Sequence, residues 1–153
     1  MFNITMSKEL DITREHWEWL GETLSRHSNA KVAPTVISLL VSRVKLFELG
    51  SKETIITEGD IGREMYVIYK GSVSITLKKK KITELKEGDF FGEISITTKA
   101  PRTATVQAKK SCQVFELSWD ALAVLDEHFH EMMLVIQRVS SQRMEDLARR
   151  GIK

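Results

Sequence analysis

The 153-residue chain contains a single cysteine, Cys112. This excludes an internal disulfide framework and a cysteine-ligated zinc or iron–sulfur site within one chain. No apolar run approaches the length of a transmembrane helix, and the N-terminus MFNITMSKELDI is too polar for a signal peptide. The formal net charge of +2 gives no reason to expect nucleic acid or an anionic membrane as a partner. We therefore predict a cytoplasmic protein with no membrane segment in this chain.

The residues that are present indicate an ordinary globular domain. Hydrophobic residues make up 42% and charged residues 29% of the chain, and its length suits one domain. Residues 1–42 are expected to be helical, with Thr13 as an N-cap, Glu15 in the first turn and Pro34 starting a second short helix. Three side chains share one face of the first predicted helix: Trp17, Leu20 and Leu24.

Residues 43–117 have the pattern of short β-strands. The segments SVSITL (Ser72 to Leu77) and CQVFEL (Cys112 to Leu117) alternate polar and apolar residues, and MYVIY (Met65 to Tyr69) is a further strand candidate. Glycine-containing turns separate these segments, which favours a sandwich or a barrel. The run from Lys78 to Lys81 falls at a predicted hairpin tip. We interpret it as a solvated tip that resists aggregation rather than as a binding patch.

Residues 118–153 are predicted to return to helix. Ser118 is the expected N-cap of the first helix, and a second stretch is expected from about Glu127 to Arg149. An apolar stripe follows the helical period: Phe129, Met132, Met133, Ile136, Val139, Met144 and Leu147. The order predicted for the whole chain is helix, β-barrel, helix.

The segment DFFGEISITTKAPRTATV (Asp89 to Val106) departs from the strand pattern. Gly92 permits close approach of a backbone, and Glu93 to Thr97 fits one helical turn whose free N–H groups favour an anion. Arg102 offers a planar fork of donors to an anion, whereas an ionised Glu93 suits a hydroxyl. These residues fit a ligand with a phosphate and a sugar hydroxyl. They equally fit a local turn followed by a surface arginine.

The same segment resembles the phosphate-binding cassette of the cyclic nucleotide-binding domain family, which includes kinase regulatory subunits, cyclic-nucleotide-gated channels and the catabolite activator protein. FFGEIS and PRTATV follow the family's F-G-E and P-R-x-A-T/S-V patterns in order. Upstream, ETIITEGDIGREMYVIYKGSVSI resembles the family's E-G-D-x-G-x-x-M-Y-x-I pattern. The resemblance is strong over about residues 43–126 and implies a mainly β fold with flanking helices. It further implies an eight-stranded jelly-roll-like β-barrel over 43–117, a cassette at 90–106, N-terminal helices at 1–42, and C-terminal B/C-type helices at 118–153.

The resemblance also implies roles for individual residues. Glu93 would bind the ribose 2′-hydroxyl, Arg102 the cyclic phosphate, and Thr103 would reach toward the phosphate and base. The candidate ligand-binding residues are Phe91, Gly92, Glu93, Ile94, Ser95, Pro101, Arg102, Thr103 and Ala104. The expected ligand is cAMP, favoured over cGMP, with no metal. We expect a regulatory sensor in which ligand binding moves the C-terminal helices. Arg138 and Arg143 could contact the base or a partner, but we expect both to be solvated.

Other classes of protein fit the sequence less well. Only ARRGIK follows Leu147, so a DNA-binding helix-turn-helix has no room. The four histidines lie in the helical flanks, which disfavours a cupin-type metal site, and no axial haem ligand is evident in the barrel. No nucleophile–base pair suggests an enzyme. A protein-interaction domain of the same fold that no longer binds nucleotide stays open, as does a homodimer or partner protein bound through the C-terminal helix.

Overall fold

The computed structural model of the chain describes residues 7–150. Within them the strands are β1 Lys8–Leu10, β2 Val44–Leu49, β3 Thr54–Ile56, β4 Met65–Lys70, β5 Ser72–Leu77, β6 Lys80–Lys86, β7 Phe90–Phe91, β8 Thr105–Ala108 and β9 Cys112–Leu117. The helices are α1 Arg14–Ser28, α2 Pro34–Leu40, α3 Glu93–Thr98, α4 Trp119–His128 and α5 His130–Arg149. None of these helices is long and apolar enough to cross a membrane.

The strands form two antiparallel sheets. One has the order β1-β2-β9-β4-β7 and the other the order β3-β8-β5-β6. The prediction of a mainly β, jelly-roll-like fold with flanking helices is therefore confirmed. Two details differ from the expectation of an eight-stranded barrel. Residues 7–150 contain nine strands in two separate sheets rather than a closed barrel. The additional strand β1 lies in the N-terminal segment predicted to be helical, where Lys8–Leu10 adds to the edge of β2.

The five-stranded sheet is the middle layer, because both of its faces are covered. In β4, Met65 and Val67 pack among the helices, whereas Tyr66 and Ile68 pack in the second core between the two sheets. Burial on both faces explains why this strand is apolar at successive positions instead of alternating. The cleft described below opens at one end of the second core, where Ile56, Phe91 and Val106 contribute to its walls.

The helices largely begin where their capping residues predict. The hydroxyl of Thr13 accepts a hydrogen bond from the backbone N–H of His16, Pro34 is the first residue of α2, and Ser118 caps α4. Both predicted C-terminal helices are present, and their boundary lies close to the predicted start at Glu127, at Phe129, which leaves the helical conformation with φ −148° and ψ 59°. Phe129 is buried in the helical core, and this packing separates α4 from α5.

The Ser118 cap generates a testable prediction. Its hydroxyl accepts from the backbone N–H of Ala121 and donates to the carbonyl of Arg43, which ties the start of α4 to the chain before β2. Ser118→Ala should lower the free energy of unfolding by about 1–2 kcal/mol, measured by urea denaturation. Ser111→Ala is the control, because that exposed hydroxyl makes no hydrogen bond within residues 7–150. Equal losses in the two variants would contradict the capping role.

Candidate functional site

The candidate site is built on the break between β7 and β8. Gly92 has φ 88° and turns the chain from β7 into α3, and a Cβ at this position would lie 2.9 Å from the carbonyl oxygen of Glu64. Only glycine fits this left-handed, closely packed position without strain. The departure from the strand pattern in the sequence is therefore the point where α3 is inserted between two strands.

Arg102 lies beneath this turn and is buried, with 6% of its surface exposed. Its Nη1 donates to the carbonyl of Gly92 at 2.9 Å and to the hydroxyl of Ser95 at 2.7 Å. Its Nη2 donates to the carbonyl of Glu64 at 2.9 Å and lies 3.7 Å from the Glu64 carboxylate. The protein thus holds the guanidinium in one orientation. Among residues 7–150 its Nε–H has no hydrogen-bond acceptor.

The surroundings of Arg102 balance its charge. Burial lowers the pKa of the guanidinium from its ordinary value, and nearby acidic groups, including the carboxylates of Glu64 and Glu93, oppose that shift. Arginine remains charged in proteins, so a fixed positive charge lies in the site. Behind it, the Tyr66 hydroxyl donates to Glu116 at 3.2 Å. Burial raises the pKa of Glu116, and the carboxylate of Glu64 raises it further.

Glu93, the first residue of α3, is almost fully buried, with 1% of its surface exposed. Its carboxylate forms an ion pair with the guanidinium of Arg143 on α5, which also lies over the ring of Phe90. Burial raises the pKa of Glu93, and the charge of Arg143 opposes this. The expectation of surface solvation was correct for Arg138, which is exposed, and wrong for Arg143.

These two charged groups line one cleft, which contains about 700 Å³ of empty space including its open mouth. Of the candidate residues, Pro101 is exposed and does not line the cleft. The cleft is lined by Phe91, Gly92, Glu93, Ile94, Ser95, Arg102, Thr103 and Ala104. The remaining lining residues were not among the candidate ligand-binding residues, although Arg143 was considered as a possible contact of the base: Ile56, Ile75, Ile82, Thr83, Leu85, Val106, Arg143, Asp146 and Leu147.

A β-bulge explains part of what the sequence did not reveal. Ile75 pairs with Thr83, but the next residue, Thr76, pairs with Lys81, so Ile82 is an extra residue in β6. Consecutive residues of a regular strand point to opposite faces, yet Ile82 and Thr83 both line the cleft. The bulge therefore adds an apolar side chain to this wall, and an alternation pattern alone gives no signal of it.

The C-terminal helix closes the other side of the cleft through Arg143, Asp146 and Leu147. A second contact joins α5 to α3, a hydrogen bond of 2.6 Å between the hydroxyls of Thr97 and Ser140. Ser140 is buried, whereas most polar residues of α5 are exposed. The short helix that carries Glu93 is thus attached to α5 at two points, so a displacement of either helix affects the other.

The site can bind a molecule that is apolar at one end and anionic at the other. Ile75, Ile82 and Leu85 provide an apolar wall, Arg102 provides a fixed cation, and Glu93 provides an acceptor for a hydroxyl. Within residues 7–150, no group of three or more His, Cys, Asp or Glu side chains is placed to hold a metal ion.

Comparison with known proteins identifies the fold and the family. The sequence profile of the cyclic nucleotide-binding domain matches residues 46–140. The potassium/sodium hyperpolarization-activated cyclic nucleotide-gated channel 4 of Homo sapiens is 31% identical over 122 residues, which cover 80% of this chain and 10% of the channel. The chain therefore spans about a tenth of the length of that curated relative.

Two solved structures have the same fold. A cyclic nucleotide-binding domain from Methylobacillus flagellatus KT superposes with a TM-score of 0.75 at 21% identity, covering 94% of this chain and 86% of that one. A structure described as Sp-2Cl-cAMPS bound to PKAR CBD2 has a TM-score of 0.74 at 21% identity and covers 91% of this chain and 94% of that one.

The Glu93–Arg143 pair generates a pH-dependent prediction. Because the folded-state pKa of Glu93 is raised, the unfolded chain releases this proton at lower pH, so Glu93 makes stability fall as pH rises between the two pKa values. Removing Arg143 raises the folded-state pKa further and widens that interval. Arg143→Ala should therefore lose about 3 kcal/mol of unfolding free energy at pH 8 and much less at pH 5.

Urea denaturation at both pH values measures this difference. Arg138→Ala is the matched control on the same helix, since its side chain is exposed and its removal should change stability by less than about 0.5 kcal/mol. A loss in Arg143→Ala that is the same at pH 5 and pH 8 would show that Glu93 does not depend on Arg143.

Proposed function

Because the chain belongs to the cyclic nucleotide-binding domain family, we propose that it is a regulatory module that binds a cyclic nucleotide in this cleft. The observation that carries the proposal is that a buried arginine, Arg102, and a buried glutamate, Glu93, line the same small cleft. A fixed cation and a carboxylate acceptor beside an apolar wall favour a ligand that has both a negative charge and a hydroxyl.

In the proposed complex, Arg102 binds the cyclic phosphate. Its Nη groups are held by Gly92, Ser95 and Glu64, which leaves the Nε–H to face an incoming oxygen. A Cβ on Gly62 would lie 2.4 Å from both Nε and Nη2, so only glycine at this position leaves room for the guanidinium. Charge-assisted bonds of this kind are among the strongest polar contacts in proteins.

Glu93 binds the ribose hydroxyl, and the apolar wall receives the base. In the structure Glu93 is engaged by Arg143, so a hydroxyl must share or replace that contact. Because α3 and α5 are joined at this pair, a ligand that alters it shifts the position of α5. Ligand binding can move α5 only through such differential contacts. This supports a sensor whose output is the position of its C-terminal helix.

We propose cAMP as the preferred nucleotide. The similar structure bound to Sp-2Cl-cAMPS supports a cAMP-type ligand for this fold. Thr103, which lines the cleft beside Arg102, keeps cGMP as the second candidate because its hydroxyl could bind the guanine amino group. We further propose that the domain binds without turnover, since its family is one of ligand-binding domains.

A second candidate function is a protein-interaction domain of the same fold that does not bind nucleotide. The observation in its favour is that protein groups already occupy both recognition residues: Arg143 pairs with Glu93, and backbone carbonyls accept from Arg102. Titration with nucleotide separates this candidate from the first.

Isothermal titration calorimetry with cAMP and cGMP tests the binding proposal. We expect heat with at least one nucleotide, and Arg102→Ala should weaken binding by about 2–4 kcal/mol because a charge-assisted phosphate contact is lost. Arg102→Ala also leaves buried acceptors without a donor, so Arg102→Lys is tested in parallel. The lysine ammonium retains the positive charge but cannot reproduce the planar fork of donors of the guanidinium, so Arg102→Lys should bind more weakly than the wild type.

Arg138→Ala again serves as the control that should bind normally. Thermal unfolding of each variant shows whether it is folded under the conditions of the titration. If neither nucleotide at millimolar concentration gives heat, the nucleotide-binding proposal is wrong and the protein-interaction domain is the candidate that fits. Binding that is unaffected by both Arg102→Ala and Glu93→Gln would place the nucleotide elsewhere.

The role of Thr103 is tested by removing its hydroxyl without changing its shape. Thr103→Val should weaken cGMP binding by about 1–1.5 kcal/mol and change cAMP binding by less than about 0.5 kcal/mol. Thr83→Val is the matched control, because it removes a hydroxyl from another threonine that lines the cleft. An equal loss for both nucleotides in Thr103→Val would rule out base discrimination by this residue.

A further inference from the structure

The hairpin of β5 and β6 ends in a turn of unusual composition. Leu77 pairs with Lys80, so Lys78 and Lys79 form a two-residue loop, and both have positive φ, 49° and 69°. This is the pattern of a type I′ turn, in which both positions strongly favour Asn and Gly. Two consecutive lysines in left-handed conformations are strained relative to Asn-Gly. The turn therefore carries charge at some cost in stability.

The tip is held against the cassette. The backbone N–H of Lys78 donates to the Glu58 carboxylate at 3.1 Å, and the backbone N–H of Glu58 donates to the Thr105 hydroxyl at 3.0 Å. Thr105 is the first residue of β8, directly after the cassette residues that line the cleft. The lysines thus have a defined position relative to Arg102.

The tip is also close to the cleft. Ile75 and Ile82, which flank the turn on the two strands, line the cleft wall. At about 3.3 Å per residue, Lys78 is roughly 10 Å along the strand from Ile75. That is about one Debye length at 0.1 M salt, so the tip charges act on an anion at the cleft mouth.

Most of this charge is not neutralised by the protein. Lys81 pairs with Glu84 on its own strand. Within residues 7–150, the ammonium groups of Lys78, Lys79 and Lys80 make no hydrogen bond or ion pair, and all three side chains are exposed. Three unpaired ammonium groups therefore lie together, with the carboxylate of Glu58 at the backbone of Lys78 as the neighbouring negative charge, and the tip keeps an excess of positive charge beside the cleft.

We propose that this lysine tip, Lys78 to Lys80, steers an anionic nucleotide into the cleft. The inference rests on the proposed function. The lysines raise the association rate of the nucleotide and do not contact it in the complex. They stay solvated and raise the local concentration of the anion near the cleft. They accelerate association, whereas the dissociation rate depends on the groups that line the cleft.

Stopped-flow association of cAMP carrying a fluorophore on its base tests this at 0.01, 0.1 and 0.3 M salt. The triple variant Lys78→Gln, Lys79→Gln, Lys80→Gln should associate about fourfold more slowly at 0.01 M and about twofold more slowly at 0.1 M. Its dissociation rate should stay unchanged. The matched control replaces Lys8, Lys31 and Lys110 by Gln, three exposed lysines outside the cleft lining, and should bind at the wild-type rate at 0.1 M and 0.3 M salt, where the Debye length is about 10 Å or less.

A second variant separates steering from a structural role of the turn. Lys78→Asn with Lys79→Gly installs the favoured type I′ residues, so it should raise the urea midpoint of unfolding while slowing association two- to threefold at 0.01 M salt. A more stable variant with a wild-type association rate would overturn the proposal. So would an increase in the dissociation rate of the triple variant, which would indicate direct contact.

Failure of the proposed function gives a different result. If the domain binds no nucleotide, wild-type protein shows no equilibrium binding at any salt concentration. If only steering fails, wild-type protein binds, and the triple variant associates at the same rate with the same salt dependence.

Discussion

The buried carboxylate of Glu93 is the constraint on which the site depends. A carboxylate that is 1% exposed is stable in its ionised form only with a nearby cation, and Arg143 of α5 supplies it. One ion pair therefore joins the short helix of the cassette to the long C-terminal helix. Because the same oxygens are the acceptors offered to a ligand hydroxyl, ligand recognition and the position of α5 depend on one contact.

Arg102, like Glu93, contributes both to the fold and to the site. Its guanidinium connects Gly92 at the start of α3, Ser95 within α3 and Glu64 before β4, so it stabilises the insertion of a helix between two strands. The same bonds fix its orientation toward the cleft. A cation that was mobile in the free protein would lose conformational freedom on binding an anion, and this arginine has already lost it.

Sequence patterns predicted many of the strands and helix starts, because alternation and helix capping depend on residues that are close together in the chain. The strands at Ser72–Leu77 and Cys112–Leu117 follow from alternation, and the starts of α1, α2 and α4 follow from Thr13, Pro34 and Ser118. The boundary between the two C-terminal helices was predicted at about Glu127, and the structure places it at Phe129. It arises because a buried phenylalanine packs into the helical core, which is a tertiary effect. The alternation of polar and apolar residues in a regular strand also gives no signal of the bulge at Ile82.

The sequence by itself determined which residue types meet in the cassette, because Gly92, Glu93 and Arg102 lie on one short segment whose backbone must turn. It could not determine that Arg143, fifty positions beyond Glu93, would be the partner of that carboxylate. On an isolated helix Arg143 is one polar residue among several on α5. Burial in the folded protein removes water from the Glu93 carboxylate, and the packing of α5 beside it brings Arg143 to that buried charge.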